Sequence, residues 1–129
     1  MLFRSHLGGA AFSYCRSLEG IKLPESMVKL GPSAFNNCVN LAEINIPKGV
    51  LIIDNKTFNA CSKLSKVTIH QDLKSIRESA FQECSSLKTI NLSSQLDSIG
   101  AYAFVGCENL NNIKLSDNIH SIGVCAFEN

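Results

Sequence analysis

The sequence predicts an α/β repeat solenoid, a right-handed coil in which each turn contributes short parallel strands and one short helical turn. Three observations predict it. A cysteine recurs every 23 residues at Cys15, Cys38, Cys61, Cys84 and Cys107. A phenylalanine keeps the same period at Phe12, Phe35, Phe58, Phe81, Phe104 and Phe127. Aliphatic side chains follow in fixed phase, including Leu18, Leu41, Leu64, Leu87 and Leu110, then Ile21, Ile44, Val67, Ile90 and Ile113, and lastly Leu30, Ile53, Ile76, Ile99 and Ile122. Self-similarity at a fixed period of 20 to 50 residues marks a stacked array, because no single unit can bury its apolar face alone.

The elements of one unit follow in order. In Leu87–Leu92 (LKTINL) the apolar Ile90 and Leu92 alternate with Thr89 and Asn91, which predicts a short half-buried strand. Leu96–Gly100 (LDSIG) keeps two apolar positions three apart and ends in glycine, which predicts a second extended segment closed by a turn. In Ala101–Cys107 (AYAFVGC), Ala103 and Phe104 stand four and three residues before Cys107, so one helical turn would put all three on a single face. Pro32 would open the equivalent turn of the second unit, where its missing N–H costs little. Stacking at about 4.8 Å per coil gives a rod of roughly 25 Å.

The five periodic cysteines then point the same way into the core, as small buried hydrophobes in a ladder. Parallel Cβ vectors suit a disulfide dihedral poorly, and a linear column does not offer the tetrahedral ligand set of zinc. No metal and no cofactor are expected. Cys125 stands outside the ladder, in the outward column of Tyr102, and is the thiol expected to react fastest.

These units resemble the BspA-like leucine-rich repeats of bacterial and protist surface proteins. LAEINIPKGVLIIDNKTFNAC and LKTINLSSQLDSIGAYAFVGC follow that family's L-x2-I-x-L-P-x2-V-x2-I-G-x2-A-F-x2-C, and the resemblance covers essentially the whole chain. Departures are local. Pro24 and Pro47 give way to His70, Ser93 and Ser116; Asp54 and Arg77 stand where Gly31 and Gly100 stand; Thr57 replaces the alanine of Ala-Phe. The third unit is therefore expected to pack least well. The resemblance implies a leucine-rich-repeat-like coil and a cell-surface adhesin or antigen that binds host or matrix proteins such as fibronectin or fibrinogen. An intracellular scaffold built from the same repeats is the alternative, favoured by unpaired thiols and by the lack of an export signal at the start of the sequence given.

Composition narrows the function further. At 129 residues, 45% hydrophobic and 18% charged with a net charge of +1, the chain has material for one folded domain. It has no basic run for nucleic acid or an anionic membrane, and no apolar stretch long enough for a membrane helix. The whole of 1–129 reads as one array of about five and a half units, with no polar cap at either end, as in a fragment of a longer protein; end-to-end self-association is the other consequence of uncapped ends. His6, His70 and His120 occupy different phases of the repeat, as do Asp54, Asp72 and Asp97, so no catalytic group converges and no enzyme is expected.

What remains is surface, and it points to a protein partner. Outward strand positions form two polar columns, with Glu43, Lys66, Thr89 and Asn112 in one and Lys22, Asn45, Thr68, Asn91 and Lys114 in the other, on a nearly flat face. Without Trp, Tyr or Arg anchors, that face suits weak or multivalent binding. Val28, Leu51 and Ile52 form a second, apolar patch where other units carry serine. Asn55-Lys56-Thr57 and Asn91-Leu92-Ser93 match the glycosylation sequon at about chance frequency, and Thr57 is expected to be buried.

Overall fold

A computed structural model describes residues 5–128. The chain winds into stacked coils, each carrying one phenylalanine of the series. The segments that pair are β1 (Ser5–Leu7), β2 (Met27–Leu30), β3 (Glu43–Asn45), β4 (Ile52–Ile53), β5 (Lys66–Thr68), β6 (Ser75–Ile76), β7 (Ser98–Ile99) and β8 (Ser121–Ile122). We number the coils by their phenylalanines, from Phe12 in coil one to Phe127 in coil six. All pairings are parallel, and from β3 onward equivalent residues sit side by side 23 positions apart: Glu43 against Lys66, Ile53 against Ile76, Ile76 against Ile99.

Which segment forms the longer ladder differs from the sequence reading. The β4-β6-β7-β8 ladder comes from the segment ending in glycine, whereas the alternating segment pairs only as β3 and β5. Leu87–Leu92 is extended without a strand partner, although its burial alternates as expected: Leu87 and Ile90 are buried, Thr89 and Asn91 exposed.

The expected helical turn is not there. Among the described residues there is no helix, and Ala101–Cys107 is a chain of tight turns. Two backbone facts exclude a helix. Tyr102 and Gly106 have φ of 60° and 75°, a left-handed region that no right-handed helix visits. The amides also alternate partners: Ala103, Val105 and Cys107 donate to carbonyls three residues back, while Tyr102, Phe104 and Gly106 donate to Val124, Ala126 and Glu128 of the next coil. Half of the amides are thus spent on the neighbouring coil. The left-handed positions recur in phase, at Ala10, Ser33, Lys56, Ser79, Tyr102 and Cys125 and again at Tyr14, Asn37, Ala60 and Glu83. Of these ten none is glycine, so the inter-coil hydrogen bonds must outweigh a cost of order 1 kcal/mol at each such residue.

The core is a set of columns. The phenylalanine rings stack nearly parallel, 5.3 to 5.5 Å between centroids, from Phe12 to Phe127. Phe35, Phe58, Phe81 and Phe104 are fully buried, and burial of a side chain of that size is worth about 1.5–3 kcal/mol. The cysteine ladder is present: Cys38, Cys61, Cys84 and Cys107 are buried, Cys15 is half-buried, and all are free thiols. These thiols do more than fill space. Cys38, Cys61, Cys84 and Cys107 each donate their S–H to the carbonyl of the phenylalanine in the preceding coil, at 3.0 to 3.2 Å. Burial pushes the pKa of Cys61 and Cys107 up from the ordinary 9.0 to about 12, and that of Cys84 well above 9.0.

Thr57 does not loosen coil three. It is fully buried and its hydroxyl donates to the Asp54 carbonyl at 2.8 Å. Ser93 is likewise buried, its hydroxyl donating to the Gln71 carbonyl and accepting the Gln95 N–H. The hydroxyls of both sequons are therefore inside the fold.

Candidate protein-binding surfaces

The polar strand face is built as its spacing predicts. Lys22, Glu43, Asn45, Lys66, Thr68, Thr89, Asn91, Asn112 and Lys114 are all exposed. Pairing of β3 with β5 fixes Glu43 beside Lys66 and Asn45 beside Thr68, while Ile44 and Val67 between them turn into the core. The face is not flat. It is indented by a depression of about 490 Å³ bordered by Lys22, Glu43, Asn45 and Lys66, with a second beside it reached by Thr68, Thr89 and Asn91. Gly20, one period before Glu43 and at the end of its column, lines the first, with nothing within 4 Å of where a Cβ would stand. Glu43 and Lys66 do not reach ion-pair distance: the one salt bridge among the described residues is elsewhere. Amides, hydroxyls and ammonium groups are thus presented along the trough.

The second patch also comes together. Leu51 is 41% exposed, Val28 and Ile52 are half-buried, and all three line one depression with Lys29, His6 and Arg77 at its rim. Beyond it, β6, β7 and β8 carry Ser75, Ser98 and Ser121 in place of Ile52, with Ser75 and Ser98 hydrogen-bonded at 2.9 Å. The patch is confined to coils two and three.

The remaining singled-out residues lie apart. His6, His70 and His120 fall in three different columns and Asp54, Asp72 and Asp97 in three, with Asp97 and His120 sharing one, and no group of potential metal ligands forms among the described residues. Asp54 is not free surface charge: its carboxylate takes the Arg77 guanidinium at 3.3 Å and the Asn55 N–H at 2.8 Å. Tyr14 and Tyr102 point outward, 59% and 40% exposed, and the Arg16 guanidinium lies 5.9 Å above the Tyr14 ring. Cys125 is half-buried, and a hydrogen bond to the Glu128 carboxylate raises its pKa. No described helix is long and apolar enough to cross a membrane.

A solenoid of parallel coils with an indented polar strand face is the architecture of a leucine-rich-repeat interaction module. The BspA type leucine rich repeat region matches residues 5–129 in six copies, and the chain belongs to that family. Solved structures agree. The chain is similar to a leucine-rich repeat protein from Bacteroides ovatus, with 35% identity and a TM-score of 0.88 over 96% of this chain and 32% of that one. It is similar to the leucine rich repeat protein of T. pallidum, with 30% identity and a TM-score of 0.83 over 85% of this chain and 54% of that one. A leucine rich cell surface protein from Faecalibacterium prausnitzii shares 27% identity with a TM-score of 0.86, over 96% of this chain and 34% of that one. The chain therefore spans between a third and about half of these proteins' lengths. A comparison with curated proteins returned no match.

Proposed function

We propose that this array is a non-catalytic protein-binding segment of a cell-surface adhesin or antigen, and that it engages host or matrix proteins through the strand face from Lys22 to Lys114. One observation carries the reading: nine polar residues from successive coils are all exposed in two columns, on and alongside the β3-β5 pair, and the seven from Lys22 to Asn91 border two adjoining depressions. Membership of the BspA-type family and likeness to a protein described as a cell surface protein support the location. The trough holds no aromatic or arginine anchor, so each site binds weakly and strength comes from repetition.

Immobilised matrix glycoproteins, offered beside a cytosolic lysate, test this directly. Saturable matrix binding that is lost in Lys22→Glu/Lys114→Glu is expected. Matrix binding untouched by that double variant would move the site off the strand face. Retention of a cytosolic protein alone would favour the intracellular scaffold, a reading supported by the six free thiols.

A further inference from the structure

The ladder is interrupted at one junction, and the interruption coincides with the apolar patch. At the other junctions the residue after the ladder strand donates its N–H back to the preceding coil: Gly31 to Leu7, Arg77 to Ile53, Gly100 to Ile76 and Gly123 to Ile99, at 2.7 to 2.9 Å. The equivalent bond from Asp54 to Leu30 is missing. So is the one from Leu51 to Val28, although Lys74, Asp97 and His120 each donate to the residue one coil back. β2 therefore pairs only with β1, and β4 only with β6. The turn side stays closed, with Ser33, Phe35 and Asn37 donating to Asn55, Thr57 and Asn59 at 2.8 to 2.9 Å. Coils two and three are thus parted only in the sense that this edge lacks its ladder hydrogen bonds, for Gly49 still closes on Met27 and Val28.

The break coincides with a departure from the glycine column. At the regular junctions the coils approach so closely that a Cβ on Gly31 or Gly100 would lie 2.5 Å from backbone nitrogen of the coil before. Asp54 carries a Cβ at that position, and its carboxylate turns away to the Asn55 N–H and to Arg77. Arg77 also carries a Cβ and keeps its N–H bond to Ile53, so the carboxylate and its competing turn, rather than bulk alone, go with the lost bond.

The parted edge exposes an apolar floor of Val28, Leu51 and Ile52 beneath a rim of excess positive charge. Asp54 is already engaged by Arg77, whose side chain remains 48% exposed, and among the described residues Lys29 has no carboxylate within ion-pair distance. We propose that this junction is a second docking site, distinct from the strand face, for a partner protein segment that carries an apolar side chain flanked by carboxylates. The apolar residue covers Leu51 and Ile52 while its acidic neighbours meet Lys29 and Arg77.

The test is methyl NMR on the intact chain with two blocked hexapeptides, Asp-Asp-Phe-Leu-Asp-Asp and Lys-Lys-Phe-Leu-Lys-Lys. The acidic peptide is expected to shift the methyls of Val28, Leu51 and Ile52, with the basic peptide at least about tenfold weaker. Ile52→Ser, which copies Ser75, and Lys29→Glu should each weaken acidic binding several-fold, while unshifted Leu87 and Ile90 methyls show an intact core. Equal response to both peptides, shifts centred on the strand face, or no shift at millimolar acidic peptide would overturn the proposal. Loss of matrix binding in Lys22→Glu/Lys114→Glu leaves it untouched, so the two sites fail separately.

Discussion

The junction between coils four and five and the junction between coils two and three are made from the same repeat, and they solve the stacking problem differently. Between four and five, Gly100 lets the backbones close to ladder distance, and its N–H reaches Ile76 at 2.7 Å. Between two and three, Asp54 occupies the glycine position, the ladder bonds are gone, and Leu51 and Ile52 lie open. Yet the ring stack and the thiol bond continue across both: Phe35 lies 5.5 Å from Phe58, Phe81 lies 5.4 Å from Phe104, and Cys61 reaches the Phe35 carbonyl as Cys107 reaches that of Phe81. The comparison teaches that the columns of Phe and Cys hold the coils together, while the ladder edge is free to vary and so to acquire a local surface.

The largest effect should come from breaking the shared part. Phe81→Ala, at a fully buried position between two stacked rings, is expected to cost about 3–5 kcal/mol in denaturant unfolding. Phe35→Ala at the parted junction should cost a similar amount. A much smaller loss there would mean that the parting extends into the core.

Alkaline pH tests the thiol column next. The folded-state pKa of Cys61 and Cys107 is raised from 9.0 to about 12, so above pH 9 the unfolded chain loses protons that the folded chain keeps. Stability is complete below pH 9 and falls as pH rises toward 12, by roughly 1.4 kcal/mol per pH unit for each buried thiol. Cys61→Ala and Cys107→Ala should flatten that slope equally, because the turn side of both junctions is closed. Unequal slopes would break the equivalence.

Gly100→Ala should cost about 1–3 kcal/mol, because the new Cβ meets Glu78 nitrogen at 2.5 Å and Arg77 carbon at 2.6 Å, both backbone. Asp54→Gly should change global stability by less than about 1 kcal/mol, since an exposed ion pair is lost as a ladder bond is gained. Its signature is local: slower hydrogen exchange at residue 54, reporting a new bond to the Leu30 carbonyl. Unchanged exchange there would show that the parting has another cause. Alkylation of the native protein gives the finest comparison, with Cys125 expected to label first despite its raised pKa, and Cys61 and Cys84 both slow and alike.

The 23-residue period is local arithmetic, and it suffices to say which side chains share a column. From it follow the solenoid, the buried Phe, Cys and aliphatic series, the outward positions from Lys22 to Lys114, and the gathering of Val28, Leu51 and Ile52 on neighbouring coils. What period alone does not carry is the destination of each backbone amide. Ala103, Phe104 and Cys107 satisfy a helical spacing as well as they satisfy a chain of turns, and only the next coil, offering the carbonyls of Val124 and Ala126, decides for the turns. In the same way Cys84 reads as a small hydrophobe until stacking brings the Phe58 carbonyl within 3.2 Å of its sulfur. Asp54 reads as a departure from a glycine column, and only the missing bond to Leu30 shows what the departure does. Each of these outcomes depends on the distance between coils, which residues 22 to 26 positions apart set together and no single unit contains.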